Sequence, residues 1–301
     1  MKKRDFGKMV VFGVGLIGGS CALALKEKNV VREVIGIGRT QSNLDEAIRR
    51  EIIDQAFTFD ADWTNELAAA DIVLLATPVA QTGVLLERIL PVVSPRAIIT
   101  EAGSTKQNVI AAAREQYRMY PRVSFSRFVP AHPIAGTEHS GAAAAFATLY
   151  EGRKVIITPL PETDFQCVEA VVAFWETCGA QVRRMSPLQH DTVFAAVSHL
   201  PHMLAFALVA ELARRSEAEV FFQYAGSGFR DFTRIAASSP EMWRDIACDN
   251  REAVIKEIDV FAEILTELRS EIAQDDRDAL IRRLRIASEA RRGWMQDNDE
   301  K

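Results

Sequence analysis

The run Val10-Val11-Phe12-Gly13-Val14-Gly15-Leu16-Ile17-Gly18-Gly19-Ser20 decides the architecture of this chain. Its first three residues suit a buried strand, and the G-x-G-x-x-G that follows leads directly into a helical stretch. In such a unit Gly13 permits a tight turn, Gly15 lets the backbone approach a pyrophosphate, and Gly18 lets helix and strand pack closely. The amides and dipole at the start of the helix, at Leu16 and Ile17, then favour phosphate. The expectation is a dinucleotide-binding turn.

Outward from it, short β-branched runs alternate with helical patterns as far as Ser186. Strands are expected over Met9–Gly13, Glu33–Gly38, Asp71–Thr77, Ala97–Glu101, Phe128–Ala131, Val155–Pro159 and Gln181–Met185, with helices such as Ile17–Glu27, Asn43–Arg50, Gln81–Leu90 and Thr105–Tyr117 between them. This is the pattern of a doubly wound, parallel α/β sheet of Rossmann type, covered on both faces. Beyond Pro187 strands give way to helical patterns over His190–Arg214, Glu241–Arg269 and Asp278–Arg292. The expected division is a dinucleotide-binding domain at 1–186 and an all-α domain at 187–301. Pro201 should bend or restart the first helix, because proline lacks an amide donor and clashes with the preceding turn. Met203–Leu212 is apolar nearly all round and calls for cover on several sides, a second subunit included.

Composition narrows the function. With 301 residues, 48% of them hydrophobic, the chain can bury two ordinary cores, and a net charge of -5 gives no global reason to bind nucleic acid or an anionic membrane. The longest apolar candidate, Met203–Ala210, falls short of the roughly 20 residues of a membrane span. Met1-Lys2-Lys3-Arg4 reaches Asp5 before any signal-peptide core, so a cytoplasmic location is expected. Cys21, Cys167, Cys178 and Cys248 have no C-x-x-C spacing and read as buried free thiols. The basic run Arg282-Arg283-Leu284-Arg285 reads as the solvated face of an amphipathic helix.

The second strand ends in Arg39-Thr40, where an NAD site offers a carboxylate to the ribose. A guanidinium and a hydroxyl instead suit a 2'-phosphate, so NADP is expected over NAD, with Gly38 leaving room for NAD.

Four polar blocks stand inside apolar surroundings: Glu101-Ala102-Gly103-Ser104-Thr105-Lys106, His132-Pro133-Ile134-Ala135-Gly136-Thr137-Glu138, Ser198-His199-Leu200-Pro201-His202, and Gly226-Ser227-Gly228-Phe229-Arg230-Asp231-Phe232-Thr233-Arg234. Together with the glycine turn and the Ala76-Thr77-Pro78 turn, they resemble the prephenate/arogenate dehydrogenase family from Gly13 to about Asn250. The resemblance implies oxidative decarboxylation of prephenate, or of arogenate, with hydride transfer to the dinucleotide in tyrosine biosynthesis. It assigns the general base to His132, a role suited to an imidazole whose ordinary pKa is about 6.5. Ser104 would bond the reacting hydroxyl and orient that histidine. Arg234 would grip a substrate carboxylate and His202 would bind substrate. Glu138, Asp231 and Trp243 would shape or gate the pocket, Trp243 reaching it from the other subunit, and Thr77 and Pro78 would lie against the cofactor. Ser227 replaces a glycine that relatives often carry, which leaves the choice between the keto acid and the amino acid side chain open.

His199 and His202 lack a third ligand of fitting spacing, so no metal is expected and His199 reads as a core residue. A β-hydroxyacid-type dehydrogenase would place a lysine early in the second domain, whereas none occurs between Lys154 and Lys256. A non-catalytic NADP-binding protein would not need Ser104, His132 and Arg234 together. The resemblance further implies a homodimer through the helical half. With no chorismate mutase segment or small regulatory domain in view, a single activity is expected, and any inhibition by tyrosine would act at the active site.

Overall fold

The structure is a computed structural model that describes residues 4–137 and 139–299. The chain divides into two compact units, Met1–Arg251 and Glu252–Lys301. The first unit begins with β1 (Lys8–Phe12), α1 (Leu16–Glu27), β2 (Glu33–Gly38), α2 (Gln41–Arg49), β3 (Gln55–Thr58), α3 (Thr64–Ala68), β4 (Ile72–Leu75), α4 (Thr82–Ile89), β5 (Ile98–Glu101), α5 (Gln107–Met119) and β6 (Phe128–Pro133). It continues with β7 (Lys154–Ile157), α6 (Phe165–Thr177), β8 (Gln181–Arg184), α7 (Pro187–Phe194), α8 (Leu200–Ala213), α9 (Ala218–Gln223), α10 (Ser227–Thr233) and α11 (Pro240–Asp249).

The eight strands form one sheet in the order β3-β2-β1-β4-β5-β6-β7-β8. Strand order reverses between β1 and β4, and the crevice beyond their carboxyl ends is where open α/β sheets hold ligands. Along β1, Met9 and Val11 enter the core on one face, and Val10 and Phe12 enter the core on the other. All four are fully buried, as the period of two requires in a strand covered on both sides.

The sheet departs from the expected layout twice. Strand β3 was not anticipated, because Gln55-Ala56-Phe57-Thr58 is a short, half-exposed edge with no apolar run. The sheet is also not wholly parallel, since β7 pairs antiparallel with β6. Parallel return needs a crossover, usually a helix. Between Pro133 and Lys154 the only described helical turn is a 3-10 turn at Ala142–Ala144, and this segment crosses α1 instead.

Ser186 caps α7 by accepting from the Gln189 amide at 3.2 Å, and Pro187 occupies the first turn, where its missing N–H costs nothing. Helices α7 and α8 are joined by a π-helical turn, Ala195–His199, immediately before Pro201. The wider turn accommodates the ring, so the helix continues through the proline. The helix expected to bend or restart at Pro201 thus runs on as one element. The continuous helix Pro187–Ala213 has 27 residues and is, by length and composition, long and apolar enough to cross a membrane. Its polar residues argue for another use: His190 and Asp191 are fully buried in hydrogen bonds to β6 and the start of α5. In α8 only Leu200 and Ala205 are buried, which leaves its apolar flank uncovered within the chain.

Cys21, Cys167 and Cys178 are buried free thiols as expected, whereas Cys248 is exposed. In the second unit α12 (Arg251–Ala273) and α13 (Arg277–Asp299) are joined by Arg283, which donates to Glu267 at 2.8 Å and Glu271 at 2.7 Å.

Candidate active site

Gly13 leaves β1 at φ +91°, and a Cβ there would lie 2.4 Å from the Ala76 carbonyl oxygen. At Gly18 an added Cβ would sit 2.3 Å from the Gly13 oxygen. Both positions are closed to a side chain. Gly15 is different, since the nearest atom to an added Cβ is the Gly141 nitrogen at 3.9 Å. Open space therefore lies over the first turn of α1, where Leu16 and Ile17 begin the helix. A dinucleotide pyrophosphate fits this arrangement.

The segment from β6 to β7 is strapped across that turn. Asn43 donates to the Val14 carbonyl and accepts from the Ala142 amide, both at 2.7 Å. Arg50 donates to the Ala142 carbonyl at 2.6 Å, the Phe146 amide donates to Ser20 at 3.0 Å, and the Tyr150 hydroxyl donates to the Ile17 carbonyl at 2.6 Å. After β4, the Thr77 hydroxyl is buried with no partner among the described residues, while Pro78 is exposed. Arg39 and Thr40 are both exposed at the end of β2. Thr40 begins α2 without using its hydroxyl as a cap, and Arg39 has no ion pair among the described residues. An orphan hydroxyl at Thr77 and an uncommitted guanidinium and hydroxyl at 39 and 40 fit a bound phosphorylated nucleotide.

His132 lies near the carboxyl end of β6, 9% exposed. Its Nδ1 is 2.8 Å from His190 Nε2, and His190 Nδ1 is 2.8 Å from Asp191 Oδ1. Asp191 also accepts from the amides of Lys106 and Gln107, both at 2.8 Å, which caps α5 and anchors the turn that carries half-buried Ser104. One carboxylate thus ties the two predicted catalytic segments together. Burial pushes His132 well below its ordinary pKa, and the neighbouring His190, Lys106 and His199 add to the effect. The imidazole is therefore neutral near neutral pH and free to accept a proton.

Lys106 is fully buried. It pairs with the Glu101 carboxylate and donates to the Ala131 carbonyl at 2.6 Å. Glu101 also accepts from the Gly103 amide at 2.7 Å and the Ala131 amide at 3.2 Å. Burial pushes the lysine down and the carboxyl up, each opposed by the charge of the other. The pair locks the end of β5 against β6 at Ala131, the residue before His132.

On the helical side, His202 donates from Nδ1 to the Ser198 carbonyl at 2.8 Å and stacks on Trp243 with ring centroids 3.5 Å apart. Trp243 packs against His202 and His199 of the same chain. Arg234 is exposed, and its positive charge contributes to holding His202 below its ordinary pKa, after burial. Arg234 and Asp231 form no ion pair among the described residues. Asp231 and Ser227 are exposed on α10, and Glu138 lies outside the described residues.

His199 is buried as a core residue, its Nδ1 accepting from Asn250 at 3.1 Å. The sequence reading did not single out His190, Asp191 or Asn250. A signal was present, because adjacent His190-Asp191 stands in a helix otherwise apolar enough for burial, and buried polar groups need partners.

Comparison with known proteins places this geometry. Residues 21–184 match the model for prephenate dehydrogenase, nucleotide-binding domain, and residues 186–286 that for prephenate dehydrogenase, dimerization domain. Prephenate dehydrogenase of Bacillus subtilis is 36% identical over 264 residues, 87% of this chain and 69% of that protein. Cyclohexadienyl dehydrogenase of Zymomonas mobilis is 32% identical over 296 residues, 98% of each chain. The crystal structure of prephenate dehydrogenase from A. aeolicus in complex with hydroxyphenyl propionate and NAD+ matches with TM-score 0.87 and 37% identity, covering 95% of this chain and 97% of that one.

Proposed function

The chain belongs to the prephenate dehydrogenase family, and on that premise we propose that it oxidatively decarboxylates prephenate, or its amino acid counterpart arogenate, with NADP as hydride acceptor. It is an oxidoreductase with a Rossmann-type nucleotide-binding domain and a dimerization domain. When bound, the nicotinamide would accept the hydride that leaves the hydroxyl-bearing ring carbon. His132 takes the hydroxyl proton at Nε2, Ser104 bonds the same hydroxyl, and the ring carboxylate departs as carbon dioxide while the ring becomes aromatic. Because aromatisation drives the reaction, the task of these residues is alignment and proton removal. The carrying observation is His132 itself: buried, neutral, and engaged at Nδ1, so that Nε2 is the nitrogen left for substrate.

Arg234 is assigned to a substrate carboxylate, which its planar fork suits, and His202 with Trp243 to the wall of the pocket. Glu138, Asp231 and Ser227 complete the proposed substrate set. NADP over NAD rests on Arg39 and Thr40 standing where a carboxylate would repel a 2'-phosphate. The proposed working form is a cytoplasmic homodimer, with the dinucleotide-binding part at 1–186, the helical part at 187–301, and tyrosine competing at the active site. Exposed Leu208, Val220, Phe221, Phe222 and Phe232 support association through the helical half. The decisive assay follows nicotinamide reduction with prephenate and arogenate, each crossed with NADP and NAD. Turnover of at least one substrate, with higher kcat/KM for NADP, is expected; inactivity on both would refute the function, and a clear NAD preference would refute the cofactor assignment.

A further inference from the structure

Two histidines and a carboxylate form one buried chain of hydrogen bonds behind the proposed reacting centre, and the identity of its last member dictates the rest. Burial pushes the Asp191 carboxyl up, but hydrogen bonds from His190 and from the Gln107 and Lys106 amides outweigh it and keep the group ionised. A carboxylate only accepts, so His190 Nδ1, 2.8 Å away, carries a proton. Burial lowers the His190 pKa, so its imidazole is neutral and has one N–H; Nε2 is then a lone pair. His132 Nδ1 lies 2.8 Å from that lone pair and has to donate to it. The remaining lone pair of neutral His132 falls on Nε2.

We propose that Asp191 and His190 are positioning residues that hold His132 in its Nδ1–H tautomer and so present Nε2 as the base. The inference rests on the reading of His132 as general base. When Nε2 accepts the substrate proton, His132 becomes an imidazolium whose Nδ1–H still donates to His190, while His190 stays neutral and donates to Asp191. No proton moves along the chain; the Asp191 charge is felt through two hydrogen bonds.

The packing is consistent with a positioning role. Phe194 lies edge-on to His132 and tilted on His190, with ring centroids 4.8 and 4.5 Å apart, and so fixes both ring planes. The π-helical turn begins at the next residue, Ala195. Asn250 donates to the Asp191 main-chain carbonyl at 2.8 Å. Because Asp191 also holds the amides at the start of α5, tautomer and Ser104 turn are set by the same carboxylate.

The test uses the full-length chain. With only five histidines, nitrogen-15 long-range correlation spectra at neutral pH can be assigned by loss of the His132 signals in His132→Asn. The wild type should show a protonated Nδ1 and a bare Nε2 at His132; protonation at Nε2 would overturn the proposal. This arm needs no substrate, so it stays informative should the chain prove inactive on both prephenate and arogenate. For turnover, His190→Phe removes the acceptor while keeping an aromatic ring against Phe194. It should lower kcat about a hundredfold, the scale of a general-base contribution, with KM within about threefold. His190→Gln, whose amide oxygen accepts from Nδ1–H, should regain at least about tenfold of that loss. Equal turnover of the two variants, whether both normal or both impaired, would overturn the proposal, since a purely structural role would not distinguish them in this way.

Discussion

At the scale of single residues, the proposed roles of His132 and Arg234 separate chemistry from binding. His132→Asn removes the proposed proton acceptor and leaves an uncharged side chain of similar reach, so kcat should fall about a hundredfold or more while KM stays within about tenfold. On the proposed assignment of Arg234 to a substrate carboxylate, Arg234→Ala removes a contact made in the ground and transition states alike and should chiefly raise KM. Steady-state kinetics of both variants check the division, and near-normal kcat for His132→Asn would remove the histidine from the mechanism. The burial that keeps His132 neutral also predicts a pH profile. Because its pKa lies well below the ordinary value of about 6.5, kcat/KM should remain high through about pH 6.5 and fall only at lower pH. An acid limb at or above about 6.5 would contradict this environment.

At the scale of elements, the β1–α1 turn makes a prediction that distinguishes its glycines. A Cβ at Gly18 would collide with the Gly13 carbonyl oxygen, so Gly18→Ala should destabilise the fold and weaken dinucleotide binding together. A Cβ at Gly15 meets nothing closer than 3.9 Å in the protein and intrudes only where phosphate would lie. Gly15→Ala should therefore keep its Tm within about 2 °C of wild type while losing about tenfold or more in dinucleotide affinity. Thermal melts and nucleotide titrations decide it; a destabilised Gly15→Ala with unchanged affinity would refute the pyrophosphate assignment. Among the other elements, the helix from Pro187 to Ala213 shows how a local rule can be satisfied without a break. Pro201 cannot sit in a regular α-helix, yet one π-helical turn before it keeps the axis running.

At the scale of the whole molecule, buried neutral histidines link stability to pH. His199 has its pKa pushed down to about 4, first by burial, and His132 and His190 are lowered as well. The unfolded chain takes up these protons at about pH 6.5 and the folded chain only at lower pH. Between those values the unfolded state binds more protons, so stability present above about pH 6.5 is lost as the pH falls toward 4. His199 alone carries on the order of 3 kcal/mol of this loss. The Tm should drop markedly between about pH 7 and pH 5, and His199→Gln, which can still accept from Asn250, should shrink the drop. A Tm independent of pH over that range would mean that these histidines titrate normally.

What the sequence by itself determined is local: the glycine turn, the strand periods of two, the proline that perturbs a helix, and the ordered motifs around Ser104, His132, His202 and Arg234. Each is a rule about neighbours within a few positions, which is why most strands and the motif that carries His132 were legible, whereas the half-exposed edge strand Gln55–Thr58, with no apolar run, was not. The antiparallel return of Lys154–Ile157 was hidden too, because it depends on where twenty residues of strap are spent. Only the tertiary structure joined His132 to His190, 58 positions away, and Asp191 to the Lys106 amide, 85 positions away. It also put Trp243 on His202, 41 positions apart in the chain. The physical reason is burial: a buried carboxylate or imidazole has to find its hydrogen-bond partners wherever the fold brings them, and no spacing in the chain records that need.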